Sequence, residues 1–185
     1  MRSIYVDLDD VVADWFSFAL QHLDYDVPKD SGTMLPQDEW AKLKKIERFY
    51  LNLPLKEGAR ELMHWLRQHV ANTPHSIRLA FLTAIPKDND MLWAPYDKVL
   101  WVQRHFPEIP VFFGPYSVDK HKHAKPGDIL IDDRPSNISE WTNAGGIGHL
   151  YTTWENCKPW LQLTLEDENA YCNGRTYRVW KGYGC

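Results

Sequence analysis

The chain alternates short apolar runs with amphipathic stretches, and that alternation sets the first expectation. Ile4–Leu8 is a β-rich run that ends in acidic residues, and Val11–Leu23 then carries Val12, Trp15, Phe16 and Ala19 at helical spacing. Glu57–Ala71 repeats the helical period, with Ala59, Leu62, Met63, Leu66 and Val70 along one stripe. Ile77–Leu82 reads as a buried strand, followed by a polar loop and a helix from about Pro95 to Phe106. Val111–Phe113 and Ile129–Ile131 are further strands. Pro135–Ala144 is a helix ended by Gly145-Gly146, and Ile147–Tyr151 is the last core strand. Strand and helix in alternation predict an α/β fold with a parallel sheet covered on both faces.

The stretch from Asp24 to about Leu55 breaks this rhythm. Pro28, Gly32, Pro36 and Pro54 surround one helical pattern, Gln37–Arg48. The sequence therefore predicts a core over 1–23 and 55–165, with residues 24–54 inserted as a small, mainly helical cap over the sheet edge. In the tail, 166–185, Asn173-Gly174 between Tyr171-Cys172 and Thr176–Trp180 predicts a hairpin.

Composition narrows the class of protein. At 185 residues the chain can bury one substantial core. Its net charge of −4, with no block of like charges, announces no nucleic-acid-binding face. No apolar stretch is long enough to span a bilayer. Met1-Arg2 leads straight into the first strand, so no signal peptide is expected. Cys157, Cys172 and Cys185 lack a metal-ligand spacing and read as reduced thiols of a cytoplasmic protein.

The chemistry is concentrated where strands end. Val6-Asp7-Leu8-Asp9-Asp10 runs an extended segment into three carboxylates, and in an open parallel sheet ligands bind just beyond the carboxyl ends of strands. Asp7 and Asp9 alternate on an extended backbone, so both can reach that rim. So much negative charge suits a hard, oxygen-seeking cation such as Mg²⁺. Alone, an Asp-x-Asp is common as a solvated turn. A second apolar strand, Asp128-Ile129-Leu130-Ile131, also ends in paired aspartates, Asp132-Asp133. Between the two clusters, Leu79–Leu82 leads into Thr83, and Lys120, Lys122 and Lys125 precede the second cluster. Carboxylates for a metal, a hydroxyl and a lysine are the parts of a phosphoryl-transfer site.

In this order, Asp7-Leu-Asp9, Thr83, a lysine and Asp132-Asp133 resemble the four motifs of haloacid dehalogenase-like (HAD) superfamily phosphatases. More narrowly, residues 3–151 resemble the 5′(3′)-deoxyribonucleotidases. The strings that carry this are Asp7-Leu-Asp-Asp-Val-Val-Ala-Asp-Trp15, Phe49-Tyr-Leu-Asn-Leu-Pro-Leu-Lys-Glu-Gly-Ala59, Pro95-Tyr-Asp-Lys98 and Gly127-Asp-Ile-Leu-Ile-Asp-Asp-Arg-Pro135. The resemblance implies a Rossmann-like core with the cap inserted after the first strand and helix. It also implies Mg²⁺-dependent hydrolysis of (deoxy)nucleoside monophosphates through an aspartyl phosphate. Asp7 would attack phosphorus, while Asp9 would protonate the leaving oxygen and then deprotonate water. Mg²⁺ would be held by the Asp7 side chain, the Asp9 main-chain carbonyl and one of Asp132 and Asp133, with family geometry favouring Asp133. Thr83 would hydrogen-bond a phosphoryl oxygen and Lys98 would add a positive contact. Lys122, ten residues before Asp132, takes the place of the charge-neutralising lysine, with Lys125 and Lys120 as alternatives.

The chain departs from the family pattern at two positions. Asp10 stands where the superfamily usually has glycine, at a left-handed turn that aspartate tolerates. Ala84 follows Thr83 where these nucleotidases often carry serine, which removes one contact from the phosphate-binding set. Trp15, Phe16, Trp40, Phe49 and Tyr50 are read as an apolar wall for the sugar and base, set against core packing. The rival readings are a phosphatase for another small phosphate, such as a sugar phosphate or a nucleic-acid 3′-phosphate end, and a non-catalytic binding module of the same fold.

Overall fold

The computed structural model describes residues 1–23, 35–73, 77–87 and 91–172, with Gln37 and residues 166–172 described by backbone alone. The apolar runs become the strands β1 (Arg2–Val6), β2 (Ile77–Thr83), β3 (Val111–Phe113), β4 (Ile129–Asp132) and β5 (Ile147–Leu150). They form one parallel sheet in the order β3-β2-β1-β4-β5. The chain builds outward from β1 to β3 on one side, then returns to place β4 on the other. The carboxyl ends of β1 and β4 therefore meet where the strand order reverses, which is where open α/β sheets bind ligands.

Alternation along the strands divides the interior into two layers. Ile4, Val6, Leu79, Phe81, Ile129 and Ile131 point into the larger one, where they meet helices α3 (Ala59–Asn72), α4 (Ala94–His105) and α6 (Trp154–Cys172). Tyr5, Ala80, Leu82 and Leu130 point the other way, onto Trp141 of helix α5 (Pro135–Asn143). The Trp141 ring nitrogen donates to the Asp128 carbonyl at 3.1 Å, so even this buried indole is satisfied. Gly145, at φ +90°, ends α5 as the glycine pair predicts.

Two helices are shorter than their periodicity suggests. Helix α1 spans only Trp15–Leu20, because Asp10 takes a left-handed conformation (φ 57°) and the Leu8 carbonyl accepts from the N–H groups of Val12 and Ala13. Val11 and Val12 are buried as loop residues, so their spacing reflects burial and not helix. Helix α2 spans Gln37–Leu43, short of Arg48, whose φ of 54° starts a 3-10 turn, Phe49–Asn52. From residues 35–54, Leu43, Phe49, Tyr50 and Leu53 join the main hydrophobic core. Arg48 pairs with buried Asp97 of α4 at 2.5 Å, its guanidinium lying over Trp93 and Tyr96. Helix α6 runs on through Cys172, so residues 166–172, assigned to the tail above, are helical backbone. The hairpin turn at Asn173-Gly174 lies outside the described residues. Among the described residues no helix is long and apolar enough to cross a membrane.

Candidate active site

Asp7 is the first residue beyond β1. Its N–H extends the ladder to the Ile131 carbonyl at 2.9 Å, which fixes its backbone against β4. Asp132 ends β4, so the two carboxylates face each other across adjacent strand ends, and both are buried. Burial would drive such a pair toward the neutral form unless a cation stood between them. That cation is Lys120, 2% exposed, whose Nζ lies 2.7 Å from Asp7 Oδ2 and 2.7 Å from Asp132 Oδ2. Burial disfavours its charge, yet Asp7 and Asp132 together hold the ammonium above the ordinary lysine range. Burial also pushes Asp7 up to about 6 against the pull of Lys120, with Asp132 and Asp9 adding repulsion.

The lysine expected from chain spacing, Lys122, is not in the site. It is 67% exposed and pairs with Asp119 at 2.5 Å. Lys125 is exposed as well. The reason lies in local geometry. Residues Ser117–His123 form a 3-10 turn, in which positions three apart eclipse. Ser117, Lys120 and His123 therefore share the inward face, while Asp119 and Lys122 share an outward one. Gly114 admits this arrangement, since a Cβ there would come within 2.8 Å of the Lys120 backbone.

The neighbouring aspartates differ in their partners. Asp132 accepts from Lys120, from the Arg134 N–H at 2.9 Å and from the Asn137 amide at 2.9 Å on each oxygen. No hydrogen bond among the described residues reaches the Asp133 side chain. Burial, then Asp7, Asp132 and Asp10, push its carboxyl well above the usual range. Asp7, Asp132 and Asp133 each offer an oxygen within 4.8 Å of the others. Three hard oxygen donors, one of which accepts no hydrogen bond among the described residues, fit a divalent cation such as Mg²⁺.

Asp9 is half-exposed, as its position two residues along the rim requires. Its Oδ2 accepts from Lys98 at 2.6 Å, while its Oδ1 is buried without a partner. Lys98 also donates to Thr83 Oγ1 at 3.0 Å and lies 4.6 Å above the Tyr50 ring. Thr83 is fully buried at the end of β2, and Ala84 is half-buried beside it. Asp7, Asp9, Thr83, Lys98, Asp132 and Asp133 thus converge on one edge of the sheet.

The aromatic residues divide into two sets. Phe49 and Tyr50 are core side chains, 1% and 3% exposed, with Phe49 ringed by Trp15, Phe18 and Tyr50. Both are packed into the main hydrophobic core, and Lys98 lies over the Tyr50 ring. Trp15 and Trp40, 5.7 Å apart, and Phe16 are half-buried and keep exposed surface. Asp10 stands in for glycine with a compensation: its Oδ1 accepts the Phe16 N–H at 3.0 Å and so caps the start of α1.

Sequence reasoning missed Asn137 and Ser117. A buried asparagine five residues beyond Asp132 has no periodic or compositional mark, and only the fold brings it back to that carboxylate.

Compared with known proteins, residues 1–158 match the model of a family described as 5′ nucleotidase, deoxy (pyrimidine), cytosolic type C protein (NT5C). Among solved structures, a hydrolase from Streptococcus pneumoniae TIGR4 superposes with a TM-score of 0.52 at 16% identity, covering 87% of this chain and 98% of that one. A protein from Thermotoga maritima described as a candidate beta-phosphoglucomutase superposes with a TM-score of 0.42 at 16% identity, over 82% of this chain and 87% of its own. No curated protein sequence matches significantly. At 16% identity the first structural likeness speaks for the fold alone.

Proposed function

The chain belongs to the cytosolic type C family of 5′-nucleotidases, phosphoric monoester hydrolases of the HAD superfamily, and we propose that it removes the phosphate from (deoxy)nucleoside monophosphates with Asp7 as nucleophile. The observation that carries this reading is the buried Lys120 ammonium between Asp7 and Asp132, beside Asp133, whose carboxylate accepts no hydrogen bond among the described residues. That arrangement keeps one carboxylate at the strand end ionised and aimed, as an attacking oxygen must be.

The roles follow from position. Asp7 attacks phosphorus and carries the phosphoryl group as an aspartyl phosphate. Asp9, half-exposed two residues on, gives a proton to the departing nucleoside oxygen and later takes one from water. Thr83 and Lys98 bind the phosphoryl oxygens, and Lys98 holds Asp9 in place until the substrate arrives. Asp7, Asp133 and the Asp9 main-chain carbonyl would hold Mg²⁺, which would supply charge neutralisation for the phosphoryl group. Lys120 takes the charge-neutralising role first given to Lys122. Trp15, Phe16 and Trp40 form the apolar wall, with Phe49 and Tyr50 as its backing. A family described as cytosolic supports placing the reaction in the cytoplasm.

The experiment is a phosphate-release screen over deoxyribonucleotides, ribonucleotides and sugar phosphates, with Mg²⁺ and after chelation. Deoxynucleoside monophosphates should lead. A ribose 2′-hydroxyl buried against the wall without a partner costs roughly 1–3 kcal/mol, about a tenfold to hundredfold preference. Sugar phosphates outrunning every nucleotide would overturn the substrate assignment. Full turnover by Asp7→Asn would overturn the nucleophile.

A further inference from the structure

Asn137 lies in the first turn of α5 and is buried. Its side-chain nitrogen bridges both oxygens of Asp132, and its oxygen accepts from Ser117 Oγ at 2.8 Å. Ser117 opens the 3-10 turn that carries Lys120 on the same face. The Lys120 ammonium returns to Asp132. Ser117, Asn137, Asp132 and Lys120 thus close a ring, completed by the backbone of that turn.

The chemistry of the ring fixes its sense. An ionised Asp132 only accepts, so Asn137 must present its nitrogen there and its oxygen to Ser117, whose hydroxyl must then donate. A flipped amide would set an oxygen against a buried carboxylate and leave both unsatisfied. With the Arg134 N–H added, Asp132 cannot rotate without breaking bonds to three residues, one on the 3-10 turn and two at the start of α5.

We propose that Asn137, oriented by Ser117, is a positioning residue. It locks Asp132 onto Lys120, and so holds the ammonium against Asp7 and leaves Asp133 as the carboxylate open to a cation. The geometry stands on its own, while its consequence for turnover rests on the phosphatase reading above. Lysine placement is thereby decided by an amide on one side of the turn, in addition to the two carboxylates it neutralises.

The test uses the full chain and the variants Ser117→Ala, Ser117→Thr and Asn137→Ala. One readout is acylation of Lys120 by an N-hydroxysuccinimide acetate reagent, followed by peptide mass spectrometry. The other is the steady-state kinetics of deoxynucleotide hydrolysis. Asn137→Ala should speed Lys120 acylation by about tenfold to a hundredfold, the range for losing a hydrogen bond to a charged group, and Ser117→Ala, which loses a neutral hydrogen bond, by about twofold to tenfold. They should lower kcat to a similar extent with little change in KM, and Ser117→Thr should restore both. Unchanged Lys120 protection in correctly folded variants would overturn the proposal. So would a Ser117→Thr as impaired as Ser117→Ala, or Lys98 acylated in step with Lys120, which marks general loosening. Should Asn137→Ala fail to fold, the pair of Ser117 variants decides. If the wild type hydrolyses no phosphate ester, the functional reading falls, and the acylation measurement still judges the ring.

Discussion

Lys120→Met separates the buried lysine from its exposed neighbour most sharply. Methionine keeps most of the methylene volume and removes the charge, so packing changes little. What remains is two carboxylates, Asp7 and Asp132, both buried and each having lost an ammonium at 2.7 Å. Removing one partner of a buried ion pair typically costs about 3–5 kcal/mol, because the other charge is left uncompensated. In a chain of 185 residues, each kcal/mol shifts the melting temperature by roughly 2–4 °C, so the expected fall is about 6–20 °C. The loss should be greater at pH 8 than at pH 5. Without Lys120 the native carboxylates bind protons more tightly than the unfolded ones do, so stability falls as pH rises. Lys122→Met removes only an exposed pair with Asp119 and should leave the melting temperature close to that of wild type. Thermal melts in the presence of a chelator, at both pH values, make the comparison. Equal effects of the two substitutions, or a larger one at Lys122, would refute the placement of the buried cation.

Other consequences are simpler to state. Asp10→Ala keeps a left-handed residue without its side-chain cap and should cost about 1–3 kcal/mol in urea denaturation, while Asp10→Asn, which keeps the acceptor, should lose less than half of that. Burial pushes the Cys157 thiol up to about 12, so iodoacetamide at pH 8 should modify Cys157 only after unfolding, as read by peptide mass spectrometry. Burial pulls His149, stacked on Trp160 with an unpartnered Nε2, below the ordinary histidine range. The unfolded chain then binds more protons below about pH 6.5, so stability should fall with acidification. His149→Phe should melt relatively higher at pH 5.5 than at pH 7.5, and a difference independent of pH would count against this.

The central strands of the sheet were legible in the sequence because they are mostly buried on both faces. A fully buried parallel strand reads as a continuous apolar run bounded by polar residues, and Leu79–Leu82, between Arg78 and Thr83, and Ile129–Ile131, between Asp128 and Asp132, meet that description. The carboxylates were legible for the same reason, since each sits where such a run stops. Helix ends were less legible. Val11 and Val12 carry the right spacing for α1 but are buried by a loop that Asp10 turns back on the core, and periodicity reports burial before it reports conformation. The aromatic residues were ambiguous for a related reason: Phe49 and Tyr50 are rich in contact area, and the property that suits a ring to a base also suits it to the core, where both are buried.

The misplaced lysine shows what separation along a chain leaves out. Counting back from Asp132 treats the intervening segment as a ruler, but Ser117–His123 is a 3-10 turn, and its three-residue period decides which side chains share a face. With Ser117 tied to Asn137 and His123 directed to the Phe113 carbonyl, the inward face is set at both ends, and the residue between them on that face is Lys120. Lys122 is left on the face of Asp119, where water screens its charge. The competing lysines were therefore resolved by a buried amide and a backbone carbonyl with no charge of their own. A parts list of charged residues identifies what the chemistry needs; the uncharged groups around it determine which of several equivalent charges supplies it.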